Sequence, residues 1–422
     1  MEKYGYNKWI NYATYIFPCV IIGSLIEMYL GLWAIDTIIK ILAIFISFSV
    51  FFHGGYRKED FFASLTMGYI AYCLLTGFSY LWNNRPFSCY YADISDYVLP
   101  IFFVFVGLKD NKERVLYDRF LKYLIPIFVL GIICFMTTPA WYTVRLAQAM
   151  NSQWYLNSDI YDEETILSAT RFTAFFRTSY PVSHFVSFGM SIVCFNSLRA
   201  DKEPRFLILS FIVLIIVAFL SQHRVAIACM VLYLGFTIIY AVARKKTYRI
   251  WPLFIILGFG ITSFVVYGLS NDRFNDVLTM VSERVEDMSV SNAMKERKQI
   301  KEVMSSWDNI IFGQGIGSGG PSARAAGYYG ITDQNYVKLL YETGLMGCLY
   351  LLLIFASTLI RAIKFYKYYL TELMIVVFVL IAMLGSNSLV IYYTYIIMFW
   401  YAVGRIWNRR YLQLAINKNI RI

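Results

Sequence analysis

Residues 373–404 read LMIVVFVLIAMLGSNSLVIYYTYIIMFWYAVG, 32 positions without one charged side chain. A helix crosses a bilayer with about 18–20 apolar residues. The stretch is therefore too long for a single upright crossing, and Gly385-Ser386-Asn387-Ser388 near its middle offers a turn. Two membrane helices are expected from it. By the same criterion residues 61–84, 123–144, 178–198, 225–243, 250–271 and 343–360 qualify outright. Residues 206–222 make another crossing, closed by His223-Arg224, and weaker ones lie near 11–31, 36–52 and 93–108. Glu27, Asp36 and Lys40 interrupt the first two of these, and the uncharged part of the third, Tyr97 to Leu108, is short. The expected fold class is an all-α polytopic membrane helix bundle with about twelve crossings.

Composition agrees. The 422 residues are 59% hydrophobic and 15% charged, against roughly 45–50% and 25% in a soluble protein, which excludes a soluble globular enzyme. The net charge of +11 follows the positive-inside rule rather than a nucleic-acid partner. Alternate segments 1–8, 53–60, 108–122, 199–205, 243–249, 361–372 and 405–422 together hold 24 basic and 9 acidic residues. They are assigned to the cytoplasm, with both termini inside and two long loops, 140–177 and 271–332, outside. No cleavable signal is evident at the N-terminus, so the first crossing is expected to remain. Six of the seven cysteines stand singly in apolar runs, only Cys89 lying in a polar stretch, and no CxxC metal site or disulfide framework arises. His53, His184 and His223 have no ligand spacing. No metal and no cofactor are expected.

No internal repeat or interrupted crossing is legible, so residues 1–422 are read as one membrane domain with capping loops. In the second loop Ile300, Val303, Met304 and Trp307 recur at i, i+3, i+4, i+7, which places an amphipathic helix near 293–307 on the membrane surface or on the bundle. Arginines recur on the outer side. Arg224 sits at a tight outer turn, Ser221-Gln222-His223-Arg224, where charge bias asks for no cation. Arg171 and Arg177 stand just before the crossing that begins at Pro181. Guanidinium groups bind phosphate oxygens bidentately and keep their charge when partly desolvated, so an anionic lipid headgroup is their natural ligand, although ordinary phospholipid would satisfy them too.

The run Phe312-Gly-Gln-Gly-Ile-Gly-Ser-Gly-Gly320 lacks the strand, helix or Gly-Lys-Ser end of a nucleotide loop. Its glycines permit close backbone approach to a bulky ligand, a hinge, or simply a mobile loop. Beyond it, Asn335, Lys338 and Glu342 fall on roughly one helical face. A carboxylate inside a membrane helix demands a partner, and Lys338 at i−4 makes an internal ion pair the favoured reading.

Taken in order, these features resemble the O-antigen polymerase and ligase superfamily of bacterial envelope glycan enzymes. The resemblance rests on Arg171, Arg177 and Pro181, on Ser221 to Arg224, and on an outer loop carrying Arg297, Trp307 and Phe312-Gly-Gln-Gly-Ile-Gly. It continues through Asn335-Tyr-x-x-Leu-Leu-x-Glu-x-Gly-x-x-Gly347 and covers residues 165–350. It implies a lipid-carrier-dependent, GT-C-like glycosyltransferase of the inner membrane. Such an enzyme joins undecaprenyl-pyrophosphate-linked donor and acceptor glycans at the outer face, without metal or nucleotide sugar, for lipopolysaccharide or capsule. A chain-length regulator is a possible partner. Ligases of this superfamily usually carry a histidine before the Asn that opens the post-loop helix; here the place reads Asp333-Gln334 and residues 271–332 hold no histidine, which favours polymerase over ligase. Residue by residue, the expected catalytic groups are Arg224, Arg297 and Asp333, the last as base, with Arg171, Arg177, Arg284, Asn335 and Tyr336 binding substrate. A flippase or other transporter is the alternative from another class.

Overall fold

The computed structural model describes residues 2–32, 34–53, 60–81, 85–112, 115–153, 172–176, 179–196, 204–221, 223–243, 310–320, 335–384 and 393–417, with isolated positions at 251, 255, 258, 262, 322–323, 326–328 and 331. Every regular element among them is helical. Six stretches are long and apolar enough to cross a membrane: Lys8–Leu30, Ala34–His53, Phe61–Leu81, Phe87–Lys109, Val115–Thr137 and Asn335–Lys364. Shorter apolar helices cover Phe206–Ser221, Ala226–Val242 and Ile396–Trp407. The crossing expected at 250–271 and the amphipathic helix near 293–307 lie outside the described residues.

The chain divides into two compact units. The first takes Met1–Thr14, Lys40–Glu113 and Ala293–Arg421, the second Tyr15–Ile39 and Arg114–Asn292. In chain order the helices are α1 (Glu2–Ala13), α2 (Ile16–Leu30), α3 (Ala34–His53), α4 (Phe61–Gly77), α5 (Phe87–Asp93), α6 (Phe103–Lys109), α7 (Val115–Thr137), α8 (Ala140–Gln153), α9 (Ser179–Asn196), α10 (Pro204–Ser221), α11 (Arg224–Ala243), α12 (Asn335–Lys364), α13 (Tyr366–Ala382), α14 (Tyr393–Trp407) and α15 (Arg409–Asn417).

In the second unit α9 is the axis. It packs against α7, α10 and α11, and nearly all of its side chains are buried. Its serines recur at i, i+4, i+8, a pattern that would expose hydroxyls to an apolar interior. Each instead donates to a carbonyl of its own helix: Ser183 Oγ to Tyr180 O at 2.7 Å, Ser187 Oγ to Ser183 O at 2.9 Å, Ser191 Oγ to Phe188 O at 2.8 Å. Glu27, which interrupted the first apolar run, is buried and accepts the Asp36 N–H at the start of α3. It thereby satisfies a helix-end donor that lipid would leave bare. The outer loop expected from residue 140 opens with the helix α8. From it Arg145 occupies the space beside Gly31 and donates to Gln148 Oε1 at 2.8 Å.

In the first unit α6 and α14 cross at backbone contact. A Cβ on Gly107 would overlap the Tyr401 carbonyl oxygen, and one on Gly404 the Val104 carbonyl oxygen, the small-residue solution to close packing in membranes. The crossing expected at 93–108 starts earlier, at Phe87, and reaches α6 through a wide turn at 94–98 and a tight one at 99–102. The split expected within 373–404 matches the separation of α13 and α14; their connection lies outside the described residues. Segments assigned to one side by charge meet at one end: Arg405 contacts Asp110 and Glu372. Segments assigned to the other side meet likewise, Asp93 with Lys338 and Arg85 with Ser318.

One feature contradicts the uninterrupted crossing expected for α12. At Gly344 the backbone leaves helical geometry with φ 63° and ψ −170°. The break orphans main-chain groups on both sides, and residues 310–315 supply their partners. Leu345 and Met346 donate their N–H groups to Ile310 O and Ile311 O at 3.0 and 3.1 Å, while Gln314 and Gly315 donate to Tyr341 O and Glu342 O, both at 2.8 Å. Broken helices are tolerated in a membrane only where such groups are satisfied again.

Candidate functional site

Of the arginines singled out, Arg171, Arg177, Arg224 and Arg284 belong to the second unit and Arg297 to the first. Arg224 is the first residue of α11 and Ser221 the last of α10, so the turn that joins them spans two residues. That turn is tied to two flanking segments. Phe172 donates its N–H to Leu220 O at 3.0 Å, and His223 Nε2 is hydrogen-bonded to Ser179 Oγ at 2.9 Å, with the imidazole 4.9 Å from the Tyr180 ring. Tyr142 Oη donates to Ala174 O at 2.9 Å, fixing residues 172–176 from the side of α8. Positions adjoining Arg171, Arg177 and Arg224 are thus brought to one place. Arg171, Arg177, Arg284, Arg297 and Asp333 lie outside the described residues, as does the side chain of Arg224.

Asn335 and Tyr336 open α12 in the first unit and part company. Tyr336 is exposed and its hydroxyl donates to Leu380 O at 2.8 Å. Asn335 is wholly buried, its N–H donating to Met383 O at 3.2 Å. Among the described residues its side-chain amide has no hydrogen-bond partner at either the oxygen or the nitrogen. An unmade hydrogen bond on a buried amide is costly, so this amide is available to a polar ligand or a water.

One and two turns further along α12 lies a charge cluster that only half follows from the sequence. Lys338 Nζ is 3.6 Å from Glu342 Oε1, the expected internal pair, and 2.5 Å from Asp93 Oδ2 at the end of α5. All three side chains are at most 5% exposed. Gly319 donates its N–H to Glu342 Oε1 at 2.9 Å. A Cβ on Gly320 would come 2.6 Å from the Asp93 carboxylate, so the glycine run approaches the cluster as closely as backbone can.

The same run corrects the expectation of a mobile or ligand-cradling loop. Gly313, Gly315 and Gly317 all have positive φ, at 76°, 91° and 88°, and each faces protein: Gly313 the main chain at Glu342 and Gly344, Gly315 the Thr76 carbonyl and Ser79, Gly317 the main chain at Cys89. Ser79 Oγ donates to Gln314 O at 2.7 Å, Tyr72 Oη to Thr343 O at 2.7 Å, and Arg85 to Ser318 O, its guanidinium 5.0 Å over the Tyr328 ring. The run is a packed plug in the helix break.

Asp93 and Arg85 are the residues that sequence reasoning passed over. Asp93 marked only the edge of a short crossing, and its partner lies 245 positions away. The available signal was an acidic residue entering an apolar run with no cation in its own helix. Among the described residues no group of three or more His, Cys, Asp or Glu is placed to hold a metal ion.

These observations define an all-helical chain with several helices of membrane-crossing length and apolarity, and with buried ionic clusters inside it. Compared with models of protein families, with curated proteins and with solved structures, the chain matches none of them.

Proposed function

We propose that this chain is a polysaccharide polymerase of the bacterial inner membrane. On this reading it crosses the membrane about twelve times in a GT-C-like architecture and works at the outer face. It joins undecaprenyl-pyrophosphate-linked repeat units, donor to acceptor, without a metal. The observation that supports the reading is the pair of hydrogen bonds Phe172–Leu220 and His223–Ser179. Phe172, Ser179 and His223 are near neighbours in sequence of Arg171, Arg177 and Arg224, the three outer arginines proposed to grip one diphosphate. Cleavage of the anomeric C–O bond concentrates negative charge on the departing pyrophosphate. Preorganised cations aimed at that charge lower the barrier, each worth on the order of 10²–10³ in rate. Arg171, Arg177 and Arg224 take this role, with Arg297 and Arg284 drawn from the second outer loop. The acceptor hydroxyl attacks the anomeric carbon from the opposite face, giving inversion, and Asp333 takes its proton. Tyr336, exposed where the following helix opens, contacts the glycan, while Asn335 beside it is buried and ties that helix start to Met383.

Replacing Arg224 by Ala is expected to abolish polymer while protein level and single lipid-linked repeat units persist. Lysine at the same place restores little, because it lacks the bidentate fork. Full-length polysaccharide from the alanine variant would remove Arg224 from the site.

The helix break at Gly344 favours a second reading, a lipid-linked oligosaccharide transporter, since discontinuous crossings mark many transporters. Purified protein in liposomes separates the two. Given lipid-linked repeat units on one side only, a polymerase lengthens them without moving them, and a transporter moves them without lengthening.

A further inference from the structure

Among the described residues, the charges around the break in α12 do not balance. Asp93 and Glu342 bring two carboxylates and Lys338 one ammonium, all buried. Lys40 pairs with Asp96 one helical turn beyond Asp93. Arg85 meets the Ser318 carbonyl and the Tyr328 ring rather than a carboxylate. Among the described residues the other titratable groups facing Glu342 are Tyr97 and Cys73, and Tyr97 is hydrogen-bonded to Tyr69; none of these three carries charge in its ordinary range near neutral pH. Full ionisation would therefore leave one uncompensated negative charge in the apolar interior, where an unpaired charge is expensive and the group neutralises instead.

A second observation points the same way. Asn335 shares the helix face of Lys338 and Glu342, and its buried amide has no partner among the described residues. Ser318 Oγ, buried beside the Gly319 N–H that reaches Glu342, has none either. Polar atoms of this kind are what a buried water needs, and a water is the vehicle on which a proton reaches such a site.

We propose that Asp93, Lys338 and Glu342 form a proton-binding site in which the two carboxyls share one proton at neutral pH, making the cluster electrically neutral. The proton comes from water and no other bond is made or broken. One carboxyl donates it to the other while Lys338 holds Asp93. The site does not depend on polymer synthesis and stands under either reading of the chain's activity.

Infrared difference spectroscopy on the purified full-length protein tests it. At neutral pH the wild type is expected to show a protonated-carboxyl C=O band that shifts in D2O. The band is lost in Asp93→Asn and in Glu342→Gln and retained in Asp96→Asn, because the Asp96 carboxylate has a lysine of its own. Should the amide variants not fold, Asp93→Glu and Glu342→Asp keep every charge, and each is expected to shift the band. Absence of such a band in the wild type overturns the proposal. So does a band that none of the variants at 93 and 342 alters. A band that disappears when sodium is added at constant pH also overturns it, because the uncompensated charge would then hold a metal cation.

Discussion

The first unit holds two buried clusters with the same inventory, two carboxylates and one cation, at opposite ends of its helices. At one end Arg405 Nε donates to Glu372 Oε1 at 3.0 Å, and its other nitrogens reach Tyr401 Oη at 3.1 Å, Lys112 O at 2.9 Å and Asp110 O at 3.4 Å. Asn408 adds its own bonds to Gly107 O and Asp110 O. A guanidinium has five donors in a rigid fork and keeps its proton under all ordinary conditions. One side chain therefore fastens the end of α6 to α13 and α14. At the other end Lys338 is a single point charge held by Asp93 and Glu342, and it is these carboxylates that the glycine-rich plug touches, through Gly320 and the Gly319 N–H. The difference teaches that buried charge serves two purposes here. Arg405 is a clamp between helices, whereas Lys338 sits where a loop enters a gap in one of them.

The comparison breaks or sharpens with substitution. Arg405→Met strands two buried carboxylates at once, and such a loss costs about 3–5 kcal/mol. The variant is expected to lose its monodisperse folded peak on size-exclusion chromatography in detergent; a variant as stable as wild type would mean that Arg405 clamps nothing. Lys338→Met is expected to act locally, since α6, α13 and α14 remain fastened. The plug loosens, and Cys89, which is buried with its carbonyl against Gly317, becomes reactive to a thiol reagent while the bundle persists. Unchanged Cys89 protection, or collapse as complete as that of Arg405→Met, would erase the distinction between the two ends. Gly404→Ala forces α6 and α14 apart at their contact, for about 1–3 kcal/mol, and a lowered melting temperature in detergent checks it. The smallest effect is expected at Gly235, where a Cβ meets nothing within 4 Å. Alanine there stabilises α11 by up to about 1 kcal/mol and sets the baseline for the other glycines.

The apolar crossings were legible because a helix long enough for the membrane announces itself in consecutive residues. The division of 373–404 between two helices was legible for the same reason, as was the Lys338–Glu342 pair, whose members stand one helical turn apart. What sequence could not show is long-range: Asp93 completes the cluster from another helix, and no local pattern names its partner. The glycine run did signal close approach, but not that the surface approached would be a gap in α12. Nothing in Glu342-Thr343-Gly344-Leu345 says that the helix breaks there, because a single glycine in an apolar helix is ordinary. Glu27 looked like an intruder in a crossing and is instead the acceptor that finishes the next helix.

Gly313 and Gly344 stand with their main chains in contact, and a side chain on either would fill the space of the other's backbone. The two positions, 31 residues apart in the chain, are therefore inherited as a pair. In any diverged set of sequences that keeps this architecture they should stay small together or be lost together. A set in which one drifts freely while the other holds would show that the seam between loop and helix can be built another way.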